Sequence, residues 1–205
     1  MFLCLLWVES GHSECNSAAM GKWAPGYTQA ELDAAQERHQ LSFPPDLVDL
    51  FLERRPAEGY NWAGDDGRIT KMLRWPLDML LLDVDHGSWW VDWGDRPQSV
   101  EERHEIVRSV LGHAPRLIPV LGHRFIPETP QAAGNPVFSM HGFDTIYYGA
   151  NLDEYFTNEF GGTYLLNGVA QSDYTLEDTL ALRLIPFWSD LALHWNRRVQ
   201  LDDDG

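Results

Sequence analysis

The sequence predicts an α+β domain in which one central, mostly antiparallel or mixed sheet is packed by helices, and three observations lead there. Thr28-Gln29-Ala30-Glu31 and Ser99-Val100-Glu101-Glu102 read as capping boxes, and Asn151-Leu152-Asp153-Glu154 opens a third helix. Short β-branched or aromatic runs, divided by Gly, Pro and Asp, lie between these helix starts. Strands and helices also come in clusters, which argues against regular βαβ alternation. With 205 residues, 44% hydrophobic and 12% aromatic, the chain suits a single domain with terminal additions and has ample material for a core.

The elements follow in order. Residues 1 to 19 read as a disordered extension or an over-long start. They hold both cysteines, Cys4 and Cys15, whose spacing matches neither a zinc site nor a disulfide framework. The apolar opening is too short for a membrane span and has no basic flank, so no signal peptide is read. The domain is expected over residues 20 to 200, followed by an acidic tail at 201 to 205. Thr28 starts a helix running to about Gln40. A second helix follows Pro44-Pro45-Asp46, with Leu47, Leu50, Phe51 and Arg54 at helical spacing. Residues 69 to 73, 79 to 84 and 89 to 93 read as strands. The Ser99 helix, with Ile106, Val107, Val110 and Leu111 as its buried stripe, should end at Gly112. Residues 137 to 140 and 145 to 148 form a hairpin around His141-Gly142-Phe143-Asp144. Pro119, Pro127 and Pro136 should mark strand ends, edges or bulges, because proline cannot donate to a ladder. The Asn151 helix stops at Gly161-Gly162. Residues 163 to 183 are ambiguous, and residues 186 to 197 close the chain as a helix with Phe187, Leu191 and Trp195 on one face.

Charge narrows the function classes. A formal charge of −16 opposes nucleic-acid binding, which needs a surplus of Lys and Arg, and favours a basic partner. The chain has no Gly-x-Ser-x-Gly elbow and no phosphate-cradling Gly-x-x-x-x-Gly-Lys loop, so no enzyme is read and no cofactor is implied. Within Trp89-Trp90-Val91-Asp92-Trp93, strand alternation puts Trp90 and Asp92 on one face, where an aromatic beside a carboxylate suits a basic protein. His123 and Arg124 lie at a bend and make a second candidate contact. An alternative reading gathers Asp83, Asp85, His86 and His141, with Asp144, into a metal site for a hydrolase. His104 and His113 belong to an acidic helix, where solvated or dipole roles suffice.

Several motifs carry a resemblance. Leu117-Ile118-Pro119, Gly122-His123-Arg124-Phe125-Ile126-Pro127, Gly134-Asn135-Pro136-Val137-Phe138-Ser139 and Asp144-Thr145-Ile146-Tyr147-Tyr148-Gly149 resemble a bacterial branch of the SUKH superfamily. Weaker support comes from Leu41-Ser42-Phe43-Pro44-Pro45-Asp46-Leu47 and Trp93-Gly94-Asp95-Arg96-Pro97. The likeness covers residues 41 to 160. It implies an α+β fold on one central sheet with no catalytic centre. It also implies a cytoplasmic protein-binding role, most concretely as an immunity protein that neutralises a bacterial toxin.

Overall fold

Thr28, Ser99 and Asn151 each accept a hydrogen bond from the backbone N–H three residues on, and each starts a helix. The computed structural model describes residues 22–64, 66–162, 164–170, 173, 177–178, 181–194 and the backbone of 198–200. Residues 1 to 19, Trp195 and the acidic tail fall outside the described residues. In chain order the elements are β1 Trp23–Pro25, α1 Gln29–His39, α2 Pro45–Glu53, β2 Arg54–Pro56, α3 Gly67–Asp85 and β3 Ser88–Trp90. They continue with α4 Val100–His113, β4 Leu117–Leu121, β5 Arg124–Pro127, β6 Val137–Ser139, β7 Ile146–Gly149 and α5 Leu152–Gly161. The chain closes with β8 Leu165–Leu166, β9 Val169–Ala170, α6 Trp188–Leu193 and β10 Arg198–Gln200. This is a single α+β domain. No described helix is long and apolar enough to cross a membrane.

The central sheet is antiparallel, in the order β4-β5-β6-β7. Pro119 sits in its edge strand β4, where the register shifts before Leu121, Pro127 ends β5 and Pro136 precedes β6. Proline is thus confined to positions that do not need its missing N–H. Side-chain alternation sends successive residues to opposite faces, and both faces are buried. Ile118, Val120, Ile126 and Val137 join a core with Leu32 of α1, Phe51 of α2 and Tyr155 of α5. Leu117, Phe125, Phe138 and Tyr147 join a second core with Leu80 of α3, Val107 of α4 and Trp188 and Leu191 of α6. Each fully buried Leu or Phe contributes about 2 kcal/mol.

Three sequence expectations need correction. Residues 69 to 73 and 79 to 84 are not strands but parts of the 19-residue helix α3. Its buried residues Ile69, Pro76, Leu80 and Val84 recur at helical spacing, and the Asp66 carboxylate accepts the Arg68 N–H to start it. Pro76 keeps that spacing, but as a residue that usually breaks helices it hides the helix in the sequence. The run from Trp89 keeps strand form only to Trp90, and Val91–Trp93 turns into a 3-10 helix. Strand alternation therefore fails beyond Trp90. The closing helix is described only over Trp188–Leu193. In the ambiguous region, Leu165 and Leu166 pair with Ala170 and Val169 across Asn167-Gly168, whose φ angles of 54° and 77° are those of a tight hairpin turn.

Candidate functional site

Trp90 is only 3% exposed, because it pairs with β10 and lies parallel to the Phe143 ring at 6.0 Å. The open aromatic and acidic surface expected on its strand face is instead assembled around it by the 3-10 turn. That turn brings Asp92 and Trp93 out beside Phe187 and Asp190 in a groove of about 450 Å³, with Trp90 in its wall. The Trp93 and Phe187 rings are near parallel, 16° apart with centroids at 6.4 Å. Both rings are half-buried, whereas Asp92 and Asp190 are exposed. Trp89 fixes Trp93 through an edge contact at 5.3 Å and ties its own indole N–H to the Gly94 carbonyl at 2.8 Å. His113, from the end of α4, lines the same groove and hydrogen-bonds through Nδ1 with the Ser109 carbonyl at 2.7 Å.

Among the described residues the groove has no lining Lys or Arg. The sequence pattern points to Asp92 and Trp90, but strand alternation sets Trp93 on the opposite face, and Phe187 appears only in a helix stripe. Asp190 was missed. Its signal was its position three residues after Phe187, one helical turn on, since Phe187 has φ 68° and directly precedes α6.

His123 and Arg124 lie at the β4–β5 turn, as expected, but Arg124 is engaged on several sides. Its guanidinium lies over the Tyr148 ring at 3.8 Å, Nη1 donates to Ser139 Oγ at 2.7 Å, and Nε is 3.5 Å from Glu159 Oε2. His123 Nε2 also meets Arg124 Nη1. Burial, then the charges of Arg124 and His141, hold the His123 imidazole below its usual pKa. Tyr60 donates to the Gly122 carbonyl at 2.6 Å and braces this turn, and burial pushes its hydroxyl up to about 12. Arg124 is therefore held inside the fold through Nη1 and its ring contact, while its buried Nε makes an ion pair with Glu159 but no hydrogen bond.

The four residues of the metal reading are not brought together. Asp83 and Asp85 lie on helix α3, two residues apart and hence on different faces, not on one strand face. Asp83 accepts the Phe143 N–H at 2.7 Å, and Asp85 pairs with His104 at 2.8 Å. His141 packs its ring edgewise on Trp75 at 5.8 Å, and His86 caps α3 through its backbone. Among the described residues no group of three or more His, Cys, Asp or Glu could hold a metal ion. Asp83 has a structural role instead. Its carboxylate occupies the space of an absent side chain at Gly142, where a Cβ would lie 1.9 Å from Oδ2 and φ is 63°.

No family model, curated protein or solved structure matches the chain.

Proposed function

We propose that this chain is a cytoplasmic, non-catalytic protein-binding domain, most concretely an immunity protein that neutralises a bacterial toxin by occluding a basic surface on it. A regulatory protein-interaction role is the close variant. The observation that carries the reading is the groove in which paired Trp93 and Phe187 rings sit between the exposed carboxylates of Asp92 and Asp190. Aromatic rings supply apolar area and a negative face for Lys or Arg, and the carboxylates pair the same charges at the rim. The −16 net charge draws a basic partner from a distance, and the resemblance to SUKH proteins names the partner class. Trp90 supports the groove from within, and His123 with Arg124 forms a second, more rigid contact candidate.

Co-expression with the toxin-like product of a neighbouring gene tests this reading. Protection of cells and a complex that survives purification are expected. A toxin that still kills and forms no complex overturns the immunity claim, while a complex unaffected by Trp93→Ala and Asp190→Lys overturns the assignment of the groove.

A further inference from the structure

A second and larger groove, of about 690 Å³, lies between α2 and α5. Its walls are two helical rows of matching spacing. Asp46, Leu50 and Arg54 follow one another at four-residue steps on α2 and its end, and Leu152, Phe156 and Phe160 do the same on α5, with Leu152 and Phe156 buried and Leu50 and Phe160 half-buried along the wall. Residues four apart share a helix face, so each row forms a straight wall about 12 Å long at 1.5 Å per residue. Trp23 closes the floor, 4.7 Å from the Phe156 ring and 5.3 Å from the Phe160 ring.

Charge divides this trough lengthwise. At one end Arg54 lies over Trp23 at 4.5 Å, and Lys22 donates to the Phe160 carbonyl at 2.7 Å. At the other end Asp46 accepts the Gly134 N–H at 2.8 Å. Val137 pairs with Gly149, so the Gly134 loop arrives beside the start of α5, where Asp153 is exposed. The trough therefore runs from an acidic end at the starts of both helices to a basic end at their finishes.

We infer that this trough receives an apolar, amphipathic helix of a partner protein, lying parallel to α2 and α5, with basic residues in its first turn and acidic residues in its last. Straight i, i+4 walls around an aromatic floor suit a helix laid in a groove. The charge division fixes its direction, because the positive amino end of the helix dipole and any basic residues there meet Asp46 and Asp153, and the negative carboxyl end meets Arg54. This occupant is distinct from the basic surface assigned to the Trp93 groove.

The test uses the full chain and two synthetic helical peptides with leucine and phenylalanine at helical spacing. One carries lysines in its first turn and glutamates in its last, and the other has these charges exchanged. Fluorescence anisotropy should show the lysine-first peptide binding more tightly by about tenfold, the effect of a few surface charge and dipole contacts. Asp153→Lys should shrink that preference. Thr157→Trp, at an exposed position in the trough wall, should abolish binding of both peptides with an unchanged circular dichroism spectrum, whereas Asp92→Lys should leave both unaffected. Binding by neither peptide, the result if another part of the chain already covers the trough, overturns the inference. So do equal affinities for the two peptides or binding that survives Thr157→Trp.

Discussion

The Trp93 groove and the α2–α5 trough are both floored by aromatic rings, yet their charges are arranged differently. Among the described residues the first is lined by carboxylates with no Lys or Arg, whereas the second carries Asp46 and Asp153 at one end and Arg54 at the other. A net charge of −16 describes only the first. Whole-chain charge sets how fast a basic partner approaches, but the order of charges along a surface sets what fits and in which direction.

The comparison is broken most severely by Gly149→Ala. A Cβ there would lie 2.6 Å from the Tyr155 N and 2.7 Å from its Cα, so α5 would be forced off β7 and the trough would lose a wall. Urea denaturation should show a loss of about 3 kcal/mol or more. Gly142→Ala strikes the other groove. It imposes a side chain at φ 63° and displaces the Asp83 carboxylate that holds Phe143, whose ring lies 5.5 Å from Trp93. A stability loss of about 2 kcal/mol is expected from backbone strain and one forfeited hydrogen bond. A changed indole environment in near-ultraviolet circular dichroism would show that the damage reaches the groove.

Trp93→Ala leaves the trough intact and should weaken partner binding by about 2 kcal/mol, chiefly through faster dissociation in surface plasmon resonance. Smallest is Asp66→Asn, remote from the Trp93 groove. Hydrogen bonds from the Arg68 side chain, together with backbone donors Asn61 and Arg68, hold the Asp66 carboxyl down to about 2. A carboxyl lowered in the fold stabilises it fully above the ordinary Asp range, near pH ~4, and that contribution disappears as the pH falls toward its folded value. The variant keeps an oxygen able to cap α3 but loses the Arg68 ion pair, so it should cost about 0.5 kcal/mol at neutral pH, and the difference from the parent should shrink in acid. A difference independent of pH would contradict the ion-pair account.

How much of this was legible in the sequence depended on the range of the signal. Thr28, Ser99 and Asn151 announced their helices because caps are local, and the hairpin between β6 and β7 announced itself through alternation around Gly142. Asn167-Gly168 was an equally local hairpin signal that sequence reading passed over. Helix α3 was hidden by Pro76, whose usual role as a breaker outweighed the spacing of Ile69, Leu80 and Val84. The grooves were hidden for another reason. Trp93 and Phe187, 94 positions apart, meet in a contact that depends on the 3-10 turn after Trp90. The four-step rows of α2 and α5 were visible singly, but nothing local shows that they face each other.

The central claim, that the carboxylates and rings of the Trp93 groove receive a basic protein, is tested most directly by association kinetics. The chain and its Asp92→Asn/Asp190→Asn variant would be measured against the neighbouring toxin-like protein over a range of salt concentrations. For the parent, added salt should lower the association rate more than it raises the dissociation rate. The variant should associate more slowly at low salt and converge on the parent at high salt, where the charges are screened. Identical salt dependence for the parent and the variant would contradict the claim.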